Sequence, residues 1–524
     1  MGDPGNDKIV SMRQQIEAAR QAEEEMLGGE PSTGGGGDNI DSRFVRSCLY
    51  NNERGDGILF AAIHRDRFLQ VKTTSQWLAW GQHHWITDKA DLCHDAVEQV
   101  AAKYYEQAHD LKTQAEAAYE AGKVDEGKRC EAERKLYLRR VDRLRSSAGA
   151  KNCLEWAHKI GARSLAIIGE EIDQRPMLLA CKNGVIDLKT GKRLDGRPSD
   201  YLVKAIPVEW QGLDAPRPEW ERFLSEIHLG DGDLVAFVRR LFGYAVTGLI
   251  SEHHLACFVG EGRNGKGTMF ETLKAIMGEL AWAVQPELIL DQKNTRSSAG
   301  PSPDLVSLQG RRLVIASETD EGRRISGSKV KSLTGADTIN ARAPHDRFET
   351  NFTPTHKLFL YTNHIPKGLT RDYALYKRLL FINYPLKFVD NPTGETERQR
   401  DPSLPAKLMA EAPGILAWLV QGCLEWQEHG LAPPDKLRAD VDALRASEDT
   451  FQQFFTDRML DDKDSHCLFK DIYTKFQAWY TEEIDENTRY IPSKIKISGW
   501  LEKRGYEKAK PGGHATFYGV GLRP

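Results

Sequence analysis

Several absences narrow this 524-residue chain before any motif is read. Its eight cysteines stand singly, at 48, 93, 130, 153, 181, 257, 423 and 467, and no C-x-x-C occurs. Neither a disulfide framework nor a zinc knuckle is therefore expected, and the thiols read as reduced and packed. No apolar run reaches the roughly eighteen residues that a membrane helix needs, and the opening Met1-Gly-Asp-Pro-Gly-Asn-Asp-Lys8 lacks the basic-then-apolar start of a secretion signal. A cytoplasmic protein with no membrane contact is the expectation. The net charge of −4 carries no basic excess. That excludes a globally basic nucleic-acid coat, but not a channel lined locally by Lys and Arg.

What is present is the composition of a soluble globular protein, 28% charged and 40% hydrophobic, on a chain long enough for about three domains. Residues 1–39 read as a tail with a possible helix over 8–28, broken by the glycine-rich run Gly28 to Gly37. Residues 40–218 read as a mixed α+β domain: short apolar runs punctuated by Trp77, Trp80 and Trp85, then a charged helical hairpin interrupted near Gly122–Gly127. The Arg-rich run Lys128 to Arg145 in that hairpin is expected to be a solvated face, and the tryptophans to be core. An Asn183-Gly184 turn joins two strands over Met177–Leu188. Residues 219–249 form a helical connector, 250–390 a nucleotide domain, 391–449 a helical linker, and 450–524 a pattern of two helices and a hairpin that spells a winged helix.

The chemistry concentrates in Phe258-Val-Gly-Glu-Gly-Arg-Asn-Gly-Lys-Gly-Thr268, an apolar strand ending in G-x-x-x-x-G-K and followed by a helix pattern. Backbone amides converge on phosphate oxygens only where no Cβ obstructs, so Gly260, Glu261, Gly262, Arg263, Asn264, Gly265, Lys266, Gly267 and Thr268 are the expected cradle for ATP. Lys266 adds a point charge between the phosphates. Thr268 stands one place later than the usual hydroxyl and is the candidate for the Mg2+ shell. A second buried-strand pattern, Arg311 to Thr319, ends in acid and is expected beside the first strand. There Glu318 would meet the metal and polarise water, with Asp320 or Glu321 sharing the work because Ser317 replaces the common Asp. A third strand, His356 to Asn363, ends in a polar side chain suited to sensing a γ-phosphate, and Arg378 follows it.

Taken in order, GEGRNGKGT, LVIASET, the segment Lys329 to Arg342, Thr362-Asn-His-Ile-Pro366 and the Arg378 segment resemble the superfamily 3 helicases, above all the poxvirus and phage or plasmid primase-helicase branch. The resemblance spans most of 40–524. It implies an α/β chain with a P-loop AAA+-like helicase core, a mixed α+β N-terminal domain and a C-terminal winged helix. It also implies a homo-oligomeric ring, expected to be hexameric, moving 3′ to 5′ on single-stranded or forked DNA during replication of a phage, plasmid or integrated element, with a separate primase or replisome protein as partner. Asn363 matches the sensor, Arg378 the finger reaching a neighbour's nucleotide, and Ile339–Phe352 the channel hairpin. Lys329, Lys331, Arg342, His345 and Arg347 are then the DNA-binding candidates, and Lys494, Lys496 and Lys503 further ones on the winged helix. Residues 1–250 hold only Asp231-Gly-Asp233 in the spacing of a primase metal pair, and these read as a helix cap, so no primase domain is expected. Two rivals stand beside this reading: an ATP-switched origin or terminus binder that does not unwind processively, and a small-molecule phosphotransferase.

Overall fold

The computed structural model describes residues 40–161, 164–291, 302–317, 324–342, 344, 349–364, 373–447, 450–484 and 491–523. It begins with helices α1 (Ser42–Tyr50) and α2 (Asn52–Ile63) and strands β1 (Phe68–Val71), β2 (Gln76–Trp80) and β3 (Trp85–Thr87). The expected helical hairpin follows as α3 (Val97–Glu120) and α4 (Val124–Leu144), then α5 (Ser147–Ala157). Tyr104, Tyr137, Phe60 and Cys153 sit in the core of this bundle. Its Arg-rich helix is clamped to neighbours by ion pairs: Arg140 to Asp56 at 3.4 Å, Arg143 to Glu53 at 3.0 Å, and Glu133 to Arg46 at 2.6 Å. Arg140 is largely buried, whereas Arg143 and most other basic residues of the helix, like Arg46 on α1, are exposed, the solvated face expected. Trp85 is buried, with Trp80 edge-on to it at 5.3 Å, and Trp77 packs edge-on to His158, so the three tryptophans form core as expected.

Strand β4 (Ala166–Ile167) closes the first sheet, in the order β3-β2-β1-β4. A second sheet is built from β5 (Leu178–Cys181), β6 (Gly184–Asp187), β7 (Lys192–Leu194) and β8 (Ala205–Ile206), and the Asn183-Gly184 turn pairs β5 with β6 antiparallel. Helices α6 (Pro218–Ile227) and α7 (Gly232–Ala245) lead onward. Asp231 caps α7, its Oδ1 accepting from the amide of Leu234 at 3.0 Å, which is the role expected of that aspartate.

The central sheet follows: β9 (Leu255–Val259), helix α8 (Lys266–Met277), β10 (Ala281–Val284), β11 (Leu313–Ser317), helix α9 (Gly327–Thr334), the antiparallel hairpin β12 (Ile339–Ala341) and β13 (Thr350–Phe352), then β14 (Lys357–Thr362) and β15 (Leu379–Asn383). Its order is β10-β11-β14-β9-β15, and every neighbouring pair is parallel. Strand β11 was expected beside β9, but β14 lies between them. Only the long-range pairing of a later strand decides that insertion. Alternate residues of β9 face opposite layers: Ala256 and Phe258 join α6, α7 and α8, whereas Leu255, Cys257 and Val259 join α9 and the hairpin. Helix α10 (Ala412–His429), reached after the short parallel strands β16 (Lys387–Val389) and β17 (Glu397–Gln399), crosses α7 in near backbone contact. A Cβ on Gly243 would lie 2.1 Å from Gly422, so only glycine admits this crossing.

Two buried cations fasten the base of the sheet. Arg312, just before β11, donates to the carbonyls of Val246, Leu178 and Arg175. Lys357, the first residue of β14, donates to those of Thr247, Thr355 and Leu249 and lies 4.9 Å from the Tyr244 ring. Burial pushes Arg312 down to about 10 and Lys357 well below its ordinary value. Carbonyls at the C-terminal end of α7, its negative pole, thus receive both charges.

The C-terminal unit comprises α11 (Thr450–Arg458), β18 (Met459–Leu468), α12 (Phe469–Glu483), α13 (Lys494–Lys503), β19 (Glu507–Ala509) and β20 (Thr516–Leu522). Its antiparallel sheet has the order β18-β20-β19, over a core of Phe454, Ile472, Phe476, Trp479, Leu501 and Phe517. The two helices and the hairpin match expectation; β18 does not.

Asp56 gives this fold a testable pH response. It is 1% exposed, within 3.1 Å of the Tyr104 hydroxyl, and burial outweighs Arg140 to lift its carboxyl to about 6. Between its unfolded value near 4 and about 6, the folded chain holds a proton that the unfolded chain has released. Its contribution is therefore most favourable below about pH 4 and declines as pH rises through about 6. Asp56→Asn removes that decline. The unfolding free energy of the variant relative to wild type is expected to rise by about 3 kcal/mol between pH 4 and 7, read from denaturant titrations at each pH.

Candidate functional site

Strand β9 runs straight into Gly260–Gly265, and the backbone there needs its glycines. Gly262 and Gly265 sit at φ of +90° and +86°. A Cβ on Gly265 would meet Ile227 Cγ2 at 2.7 Å, and one on Gly260 would meet Asn264 Nδ2 at 2.4 Å and the Tyr384 carbonyl at 2.5 Å. Arg263, with a full side chain, is also held left-handed at φ +49°, a strained position in a loop. Its carbonyl accepts from Phe388 N at 2.6 Å, tying the loop to β16. Gly265 caps α8 and offers no side-chain oxygen, so the first amides of that helix have no partner from the cap and add to its positive pole.

Lys266 and Asn264 bring side-chain donors to the loop, and Asn264 Oδ1 also accepts from the Lys266 amide at 3.4 Å. Lys266 is 3% exposed, and its ammonium reaches back to the carbonyls of Gly260 and of Thr362, the latter at 3.1 Å. Burial brings it down to about 8, which leaves it largely charged at neutral pH. Asn264 is buried, and its Nδ2 has no hydrogen-bond partner. Gly267 opens onto free space and Thr268 lies in the first turn of α8. Helix amides, a buried ammonium and an orphaned amide make a cradle that fits a polyanion such as a nucleotide's phosphates.

The pairing of β14 with β9 brings a second expected residue to this loop. Thr362 stands opposite Val259, and Asn363 Oδ1 lies 3.9 Å from where a Gly262 Cβ would be. Ser317, at the end of β11, pairs with Tyr361 one strand further on. Glu318, Asp320 and Glu321 lie outside the described residues, as do His345 and Arg347. Among the described residues no group of three or more His, Cys, Asp or Glu could hold a metal, and no helix is long and apolar enough to cross a membrane.

Arg378 belongs to the opposite end of the strands. Its carbonyl accepts from Leu255 N at 2.7 Å, where β9 begins, so the length of a five-residue strand, about 16 Å, separates it from the loop. Its Nη1 donates to Thr334 Oγ1 at 3.3 Å, and it has no carboxylate partner among the described residues. Lys329 on α9 donates to the carbonyls of Glu287 and Leu290 at 3.0 and 2.8 Å, Lys331 is half-buried, and Arg342 is exposed where β12 ends. Lys494, Lys496 and Lys503 are exposed on α13. Thr334, His253 and His254, which surround Arg378, carry no local sequence signal of that role; only pairing across the sheet brings them together.

Comparison with known proteins adds two family matches. Residues 57–229 match the family described as D5 N terminal like, and residues 258–378 match a family of unknown function, DUF5906. The chain is 26% identical over 324 residues to "Putative helicase L207/L206" of Acanthamoeba polyphaga mimivirus, covering 59% of this chain and 33% of that protein. It is 24% identical over 385 residues to "Putative helicase 022R" of Frog virus 3, covering 59% and 39%. It is 20% identical over 356 residues to "Putative primase C962R" of African swine fever virus, covering 65% and 36%. The matched region thus spans little more than a third of these relatives. Among solved structures, the apo C-terminal region of NrS-1 matches at 14% identity over 61% of this chain and 77% of that one, with a TM-score of 0.34.

The loop geometry sets up a paired stability test. Gly265→Ala meets both the strained φ and the contact with Ile227, and is expected to cost about 1–3 kcal/mol. Gly267→Ala enters open space at the helix start and is expected to cost less than about 0.5 kcal/mol. Equal melting shifts for the two variants would contradict the loop conformation.

Proposed function

Because this chain is a member of the D5-like primase-helicases, carrying their N-terminal domain ahead of a glycine-loop core, we propose that it is an ATP-hydrolysing DNA helicase. The observation that carries the reading is the loop at Gly260–Thr268, where helix amides, the Lys266 ammonium and Asn264 Nδ2 converge, with Asn363 beside it and Arg378, without a carboxylate partner among the described residues, a full strand length away. On this reading the core is a P-loop AAA+-like ATPase, and the α12, α13 and β19–β20 arrangement is a winged helix that meets DNA or a replication partner.

The α8 amides and Lys266 hold the β- and γ-phosphates, and Asn264 Nδ2 gains its missing acceptor there. Thr268 and Glu318 are the residues that would hold Mg2+, which supplies neutralisation of charge on the transferring phosphoryl group. Glu318 orients the attacking water and Asn363 contacts the γ-phosphate. Arg378 cannot span about 16 Å to its own loop, which supports a role at a neighbour's nucleotide and hence a ring, taken here as a hexamer. The hairpin β12–β13, with Arg342, His345 and Arg347, faces single-stranded DNA in the channel, and hydrolysis moves it 3′ to 5′. Lys329 and Lys331 support its base.

The shared site is tested by mixing. Lys266→Ala alone should reduce ATP turnover to below a tenth of wild type, and Arg378→Ala should bind nucleotide but hydrolyse about 10³-fold or more slowly. Under demonstrated subunit exchange, the mixture should exceed both parents, since some interfaces pair an intact loop with an intact finger. No recovery would assign Arg378 to its own chain. For the channel, Arg342→Ala with Arg347→Ala should leave basal ATPase within about twofold while weakening single-stranded DNA binding. It should also flatten the salt dependence by about 1.4 for the two charges. An unchanged salt slope together with unchanged displacement of a strand from forked DNA would remove the hairpin assignment.

A further inference from the structure

At the end of the strands away from the glycine loop, the end of α9 is held from two sides. Thr334, its last residue, is 4% exposed; its hydroxyl donates to the Val330 carbonyl at 2.7 Å and accepts Arg378 Nη1 at 3.3 Å. The Thr334 carbonyl accepts from His253 Nδ1 at 2.9 Å, and the Arg378 carbonyl from His254 Nδ1 at 3.2 Å, with both rings in the Nδ1–H form. His253 is held left-handed at φ +54°. Two consecutive histidines entering β9 therefore brace the end of α9 and the start of β15 at once.

The other side of α9 leads to the hairpin. Only Gly335 to Thr338 separate Thr334 from β12, and Ile339, Ala341 and Phe352 of the hairpin share one buried cluster with Val330 and Leu333 of α9. Helix and hairpin thus contribute to the same buried cluster and are joined in the chain by four residues. The short connection and the shared cluster offer a route from the hairpin to the Thr334 hydroxyl, which among the described residues is the side-chain group that holds the Arg378 guanidinium.

We propose that Thr334 is a positioning residue that parks Arg378, so that DNA engaged by the hairpin releases the guanidinium toward the neighbouring subunit. The inference rests on the trans role of Arg378 stated above. In the parked state the guanidinium has, among the described residues, no carboxylate partner and one neutral acceptor, a contact firm enough to bias its position and weak enough to give way. Coupling between the hairpin and hydrolysis then resides in a contact that the α9 end makes or breaks, not in the glycine loop.

The test uses the full chain with a single-stranded oligonucleotide. Thr334→Val keeps the side-chain shape and removes the acceptor. DNA-free ATPase should rise by about fivefold or more, while the DNA-saturated rate stays within about twofold, so the stimulation ratio collapses. Thr334→Ser restores an acceptor and should restore the ratio, which a purely packing role would not do. An unchanged ratio in Thr334→Val, or a fall in both rates that Thr334→Ser does not repair, overturns the proposal. Arg378→Ala separates it from its premise. If that variant keeps the DNA-stimulated rate, the finger reading fails; if it loses the rate while Thr334→Val keeps the ratio, only the parking contact fails.

Discussion

Parallel pairing of β9 with β14 on one side and β15 on the other is the constraint on which the rest of this molecule depends. Register places Thr362 and Asn383 opposite Val259, so three strand ends open together where the glycine loop begins. The same register places Arg378 at the start of β9. One strand length then separates the glycine-loop end of the sheet from the end that presents an arginine. A shift of one residue in either pairing would turn Asn363 away from the loop and exchange the two buried faces of the sheet, so packing on both sides enforces the register.

The base of that sheet is anchored electrostatically rather than by ion pairs. Arg312 and Lys357 are buried with carbonyl partners that come from the end of α7 and from the strand-rich segment before it. Removing a buried cation from water is costly, and several aligned carbonyl dipoles offset that cost better than a single one could. The consequence is that β11 and β14, whose far ends reach the site, are fastened to the helices that connect the N-terminal domain to the core. The near backbone contact of Gly243 and Gly422 adds α10 to the same block. Residues from both sides of the central-sheet core therefore share one hydrophobic cluster with it.

Local chemistry was legible wherever the signal was short-range. Asp231 reads as a cap because an aspartate before an apolar helix satisfies an orphan amide, and it does so here. The Asn-Gly turn, the charged hairpin α3–α4 and the glycine loop were equally visible, since their glycines and periodicities act over a few residues. Strand β18 was not. Its sequence Met459-Leu-Asp-Asp-Lys-Asp-Ser-His-Cys-Leu468 carries no alternating apolar pattern, and it is a strand only because β20 pairs with it, with an irregularity between Asp461 and His466. The Arg-rich helix shows the reverse: its charges were legible, but their partners Asp56 and Glu53 come from α2, distant in sequence.

By itself, then, the amino-acid sequence determined where the glycine loop lies, because a loop that needs left-handed backbone at Gly262 and Gly265 is written with glycine at fixed spacing, followed by lysine at a helix start. It determined most helices, one hairpin turn and the candidate sensor and finger. Only the tertiary structure decided that β14, not β11, lies beside the loop strand. It also decided that Asn363 reaches Gly262, that Arg378 stands at the opposite end of the strands, and that Thr334 and two histidines surround that arginine. Those relations depend on pairing between strands far apart in the chain, which is settled by how two apolar faces and two buried cations pack at once, and no local pattern encodes that competition.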